Sequence, residues 1–388
     1  MTTDFTAHPT DAPLADAPLP DAPQPDAPLT DASPTDTIVI DGAKAPAPAP
    51  RDGTDLAQAK AVVLAHHAAL ARAEPACCFT TLSQHFLPDT LWRGMHPFHE
   101  QQGPQAVADA FWAPFLTAMS RVQRRQDVFF AGRNHLEADG GIWVASMGHL
   151  MGLFDAPFLG IQPTGKITML RYAEFSRVEG DRIVEQAFFC DLLHLMAQAG
   201  QYPLPGMTGA QLVQPGPMTH DGLLFDAQDP GESAQTLAVI HRMMHAISQA
   251  NTADTPPAPR DALARDWHDD MLWWGPTGIG ATYTIDRYIE QHQRPFRTQL
   301  GARTFNGHIC RMAEGTYGGF FGWPNLTMAC DGPYLGLPPS GRMADMRVVD
   351  IYRRDGDKLA ENWVFIDMLH FLNMQGLDVL AQLGTRAR

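Results

Sequence analysis

The stretch DAPFLGIQPTG at residues 155–165 returns as DGPYLGLPPSG at residues 331–341, and this pair decides the architecture. The offset is 176 positions (331 against 155), and it continues without a gap to the end of each block. Arg171 meets Arg347, Gly180-Asp181 meets Gly356-Asp357, Glu185 meets Glu361, Asp191 meets Asp367, His194 meets His370, and Gly200 meets Gly376. Upstream the offset becomes 181, so that Leu91-Trp92 and Gly94 meet Leu272-Trp273 and Gly275, and Pro114-Phe115 meets Pro295-Phe296. One supersecondary unit is therefore written twice in the chain.

Each unit opens with a helix. Thr54 caps the first, with Leu56, Val62, Val63 and Leu70 at helical spacing; Ser233 starts the second, with Leu237, Ile240, Met244 and Ile247 on one face. A short strand follows, at residues 90–93 and again at 271–274. Next comes a helix from Pro104 to about Ser120, which Pro114 and Pro295 should kink at matching positions. Four strand-like stretches close the first unit, at 122–133, 142–154, 167–177 and 182–190. Gly180-Asp181 and Gly356-Asp357 make hairpin turns, and a final helix covers 191–200. Helices followed by a run of strands specify an α+β class. The expected fold is two repeated cone-shaped domains, each a curved antiparallel sheet packed on its N-terminal helices, with the open end of the cone as a ligand pocket.

The organisation reads as a tail over 1–53, a first domain over 54–200, a linker over 201–232 and a second domain over 233–388. The tail repeats D-A-P-x-x units, with nine Asp against Lys44 and Arg51 in residues 1–52. It has too little apolar surface to offset its ordering entropy, so it reads as disordered. The linker carries PLPGM, QPGPM and DPGE, all turn signals, and Leu223, Leu224 and Phe225 offer it points of docking. The net charge of −15 argues against nucleic acid or an anionic membrane as partner. Five irregularly spaced Cys fit a reducing, cytoplasmic setting better than a disulfide framework. Neither a leader peptide nor an apolar run of membrane-spanning length is evident.

The stretch HLMGLFDAPFLGIQPTGK at 149–166, with GDRIVEQAFFCD at 180–191 and GDKLAENWVFID at 356–367, resembles the SnoaL-like polyketide cyclases. The resemblance rests on the His, the aromatic-x-G-I-x-x-T-G-K hairpin and a strand ending at Asp, and in the second copy on the Trp363-x-x-x-Asp367 spacing. It implies a nuclear-transport-factor-2-like cone, and for the characterised cyclases a cofactor-free intramolecular aldol reaction with the Asp as acid and base. The function so implied is a cyclase or isomerase acting on a small polyketide-like carbonyl compound. The alternative is a small hydrophobic ligand-binding protein that uses the same cone without turnover.

Asp191 and Asp367 are accordingly the acid–base candidates. A carboxylate can take a proton alpha to a carbonyl and return it to the new alkoxide, provided apolar surroundings raise its pKa. Both also stand directly before a helix, where Asp is a natural N-cap. His149 is the third candidate, as acid or hydrogen-bond donor; the second copy has Asn325 there. His194 and His370, one turn after each Asp, orient it or cover the domain interface. Trp92, Phe98, Trp112, Trp143, Trp273, Trp274 and Trp323 read as core and pocket wall, with Trp363 added to the substrate-binding set. The His96-Pro97-Phe98-His99-Glu100 segment lacks the metalloprotease spacing and reads as a pocket rim, so no metal and no cofactor is expected. Two domains in one chain suggest an intramolecular pseudo-dimer, open to further self-association.

Overall fold

The structure is a computed structural model that describes residues 53–252 and 259–386; of the acidic tail only Gly53 is included. The first lobe runs α1 (Thr54–Leu70), α2 (Cys78–Ser83), β1 (Phe86–Gly94), β2 (Glu100–Gln102), α3 (Gly103–Val107), α4 (Ala113–Ala118), β3 (Met119–Arg133), β4 (Ile142–Phe154), β5 (Ile167–Glu179), β6 (Arg182–Cys190) and α5 (Leu192–Gln198). The second repeats the plan. Its helices are α6 (Pro230–Thr252), α7 (Pro259–Ala264), α8 (Ile285–Tyr288), α9 (Arg294–Gln299), α10 (Met368–Met374) and α11 (Val379–Arg386). Its strands are β7 (Trp267–Trp274), β8 (Thr282–Tyr283), β9 (Gly301–Phe305), β10 (Cys310–Glu314), β11 (Tyr317–Ala329), β12 (Met343–Asp355) and β13 (Lys358–Ile366).

The long strands β3 to β6 and β11 to β13 form antiparallel meanders, as expected, but each sheet is mixed. β1 pairs with β6 in parallel, and β7 pairs with β13 in the same way. The reason is connectivity. The chain crosses the helices and the whole meander before β6 arrives beside β1, and a crossover of that length permits parallel pairing. The strand order is β2-β1-β6-β5-β4-β3 in one sheet and β10-β11-β12-β13-β7-β8 in the other, where β9 also pairs with β11. The kink expected at the prolines is a π-turn just before each of them, at Ala108–Trp112 and Ile289–Gln293. Widening the helix by one residue accommodates the N–H that proline lacks.

The two lobes pack sheet against sheet. Phe130, Trp143, Phe175 and Phe189 of the first share one buried cluster with Met312, Phe321, Ile351 and Phe365 of the second. Phe321 stands 5.4 Å from the Trp143 ring and 5.3 Å from that of Phe175. The opposite face of each sheet meets its own helices. The segment between the lobes is fastened along this seam: Gln214 donates to Gly275 O at 2.6 Å, and Leu224 N–H to Phe129 O at 2.8 Å. Of the three expected docking residues Leu224 is buried, whereas Leu223 and Phe225 stay exposed. Alternate side chains of an extended chain point opposite ways, so one contact turns its neighbours outward. Among the described residues no helix is long and apolar enough to cross a membrane.

Candidate functional site

Asp191 and Asp367 both act as N-caps, and both reach across to the other lobe. Asp191 Oδ1 accepts from His194 N–H at 2.9 Å, and its Oδ2 from Thr277 N–H of the second lobe at 2.8 Å. Asp367 Oδ1 accepts from His370 N–H at 3.1 Å, and its Oδ2 from His96 N–H of the first lobe at 2.9 Å, with Arg347 Nη1 at 3.4 Å. His96 and Thr277 are matched positions of the duplication, so the two contacts form a reciprocal clasp. Burial raises the Asp367 carboxyl to about 6 in spite of these donors. Asp191→Asn turns one amide N–H toward a backbone donor. It should destabilise the protein by about 1–3 kcal/mol, read from urea midpoints, and should speed hydrogen exchange at the Thr277 amide; an unchanged midpoint would show that the clasp carries no stability.

The other sequence candidates divide among three places. At the seam, His149 Nδ1 stands 3.3 Å from Asp127 Oδ2 while its Nε2 has no hydrogen-bond partner. Asn325 Oδ1 accepts from Val348 N–H beside a strand bulge. Trp323 packs on Phe189 with Arg347 over its ring, and Trp363 lies in the sheet-to-sheet core, donating to Pro215 O. Inside the first lobe, Trp92, Phe98 and Trp112 are buried against Phe111. Inside the second lobe, Trp273 stacks on His292 at 4.0 Å.

The helix-facing side of each sheet carries a carboxylate that sequence reasoning passed over. In the second lobe the strand register sets Trp273 beside Asn362 and Asn362 beside Tyr352; in the next row Asp350 lies between Phe320 and Val364. Asn362 Nδ2 donates to Asp350 Oδ1 at 3.2 Å. Burial pushes Asp350 up to about 6, against hydrogen bonds from Asn362 and Tyr352. Aromatic rings wall this face: Tyr288, His292 and Phe296 on the helical side, and His308 stacked on Phe320 at 4.0 Å. Asp350, Tyr288, His292 and His308 are all half-buried rather than sealed.

The first lobe has Glu174 at the same sheet position, 176 residues earlier, between Ser146 and Phe188. The SnoaL-like polyketide cyclase family matches residues 76–199 and 325–373. The match thus falls on part of each lobe. Among solved structures, AclR from Streptomyces galilaeus is 21% identical over 38% of this chain and 99% of its own, with a TM-score of 0.32. IdmH from Streptomyces antibioticus is 16% identical over 39% and 99%, with a TM-score of 0.30. An NTF2-like protein from Burkholderia thailandensis E264 is 23% identical over 37% and 96%, with a TM-score of 0.28. Comparison with curated proteins finds no match.

The two lobes surround their shared carboxylate differently. Glu174 is fully buried, with His67 Nε2 at 2.5 Å from Oε1 and Arg124 Nη1 at 3.5 Å from Oε2. Burial alone would raise its carboxyl; His67 and Arg124 outweigh that and hold it at about 2. An acid of that strength is a poor base at neutral pH. Asp350 feels Asn362 and Tyr352, neither of them a cation, and its raised pKa suits proton transfer. The signal for both was available in the repeat itself, which keeps an acid at one mid-strand position in both copies, with Trp92 and Gln186 in one matched by Trp273 and Asn362 in the other. Among the described residues no group of three or more His, Cys, Asp or Glu is placed to hold a metal ion.

Proposed function

We propose that the protein is a cofactor-independent cyclase or isomerase for a small carbonyl substrate, and that the chemistry takes place in the second lobe at Asp350. The observation that carries this reading is a half-buried carboxyl group at about 6, unpaired with any cation, on an aromatic-walled face. The SnoaL-like family match supports it. In the aldol form, Asp350 takes the proton alpha to one carbonyl. The enolate carbon then forms a bond to a second carbonyl carbon, and the resulting alkoxide recovers a proton from Asp350, so that nothing is oxidised or reduced. Tyr288 has its phenol held protonated by burial, with Asp350 adding to the effect, and it can donate to the developing oxyanion. The acid–base role expected of Asp191 and Asp367 passes in this reading to Asp350, while those two and His149 hold the seam. The test is deuterium incorporation at the alpha carbon of aryl 1,3-diketones in D₂O, followed by NMR. Exchange catalysed by the parent protein and lost in Asp350→Asn supports the proposal; equal exchange by both, or none by the parent, rejects it.

A further inference from the structure

The first lobe encloses a cluster that the proposed reaction does not use. His67 sits between Glu174 and Gln126, whose Nε2 is 3.2 Å from His67 Nδ1 and 3.1 Å from Ser146 Oγ; Ser146 Oγ is in turn 2.9 Å from Tyr172 OH. Arg124 lies over the Tyr172 ring at 4.5 Å and near that of Trp112 at 5.8 Å. The guanidinium is the anomaly. Only 7% of its side chain is exposed, yet neither Nη1 nor Nη2 finds a partner in good hydrogen-bond geometry: the ion pair with Glu174 is loose at 3.5 Å, and Tyr172 is the other group that favours its charge. The indole N–H of Trp112 is equally buried and unpartnered, and Glu174 Oε2 has only that loose ion pair. Buried donors of this kind cost about 1–3 kcal/mol each when unmet, more when charged.

Charge counting says what would meet them. Glu174 is one carboxylate serving two cation-forming groups, Arg124 and His67, and its short contact goes to His67. A second carboxylate would complete two pairs, His67 with Glu174 and Arg124 with the newcomer. A guanidinium offers parallel N–H groups that suit a planar carboxylate in a two-point contact. We propose that the interior of the first lobe is a binding site for a small planar carboxylate, held by Arg124 and by the indole N–H of Trp112.

Binding should draw in a proton. The titratable and charged groups facing His67 are Glu174 on β5, Arg124 on β3, His66 beside it on α1, and His85, with Tyr172 reached through Gln126 and Ser146. Burial holds the His67 imidazole down, and Arg124 adds to that. A ligand that neutralises Arg124 removes the second cause, so affinity rises as pH falls.

The experiment is titration calorimetry of the full chain with sodium acetate and sodium benzoate at pH 6 and pH 8. The expected result is binding that tightens toward pH 6 by no more than about tenfold per unit. Arg124→Gln should weaken it by at least about tenfold. Trp112→Phe keeps a six-membered aromatic ring but loses the pyrrole half of the indole with its N–H, so it should weaken binding about threefold or more, with urea midpoints showing that the variant still folds. Binding should persist in Asp350→Asn, which separates this site from the second lobe. Failure of the parent protein to bind either anion, affinity unchanged by both first-lobe substitutions, or binding abolished by Asp350→Asn overturns the proposal.

Discussion

Asp350→Asn should abolish alpha-proton exchange while making the protein more stable at pH 8. The rate should fall by about 10²- to 10⁴-fold, the range for removing a positioned general base. The gain in stability follows from linkage. The folded carboxyl sits at about 6 against an ordinary 3.8, so the folded chain holds this proton more tightly than the unfolded chain. The group's stabilising contribution is complete below pH 4 and is lost as pH rises through 6. Above pH 6 the wild type keeps an unpaired, half-buried charge, at a cost of about 2 kcal/mol, and the amide does not. Thermal midpoints of the two proteins should therefore coincide near pH 4 and separate between pH 4 and 6 in favour of the variant. A catalytic group retained against stability has this signature. A variant less stable than the parent at pH 8 would mark Asp350 as an ordinary satisfied core residue and withdraw the proposed mechanism.

The strands were legible because the duplication supplied two readings of each one, and the observed ends of β4 and β6 coincide with the expected ones. The site was less legible, for a reason visible on α1. Of Leu56, Val62, Val63 and Leu70, read at helical spacing, Val63 and Leu70 are buried and Leu56 and Val62 pack partly buried against the same core, but the rest of the buried face is Ala59, Lys60, His66 and His67. The period was right, but the phase was partly hidden, because three of the buried residues are polar types that usually mark a solvated face. Glu174 and Asp350 were hidden in the same way. A polar residue alternating with apolar ones in a strand normally points to water. Here one face of each sheet meets the other lobe and the opposite face meets helices, so a polar residue marks the interior of a cone. Asp191 and Asp367 stood out because they ended a strand and began a helix; the capping that made them conspicuous is one of the bonds they make, and the other crosses between lobes that sequence alone does not orient.

Lys60→Met should be among the most destabilising single substitutions in the chain, by about 3–5 kcal/mol. The Lys60 ammonium has three N–H donors, and three acceptors meet it: Glu314 Oε1 at 2.8 Å, Leu224 O at 2.7 Å and Asp226 O at 3.0 Å. One residue of α1 thus ties the first lobe to β10 of the second and to the segment joining them. Both charged side chains are sealed, 2% and 3% exposed, so methionine keeps most of the volume but leaves a buried carboxylate and two carbonyl oxygens unmet. Glu314 Oε2 also accepts from Ala131 N–H at 2.7 Å, which holds the carboxylate in place once the ammonium is gone. Burial already raises the Glu314 carboxyl, with Lys60 and Ala131 opposing it; without Lys60 it rises further and takes up a proton more readily. The loss should accordingly be smaller at pH 5 than at pH 8. Glu314→Gln in the Lys60→Met background should recover part of the stability, because the amide needs no counter-charge. Urea unfolding of the two single variants, the double variant and the parent closes the cycle. Additive losses would show that Lys60 and Glu314 act independently, and the pair could then no longer be credited with fastening the two lobes together.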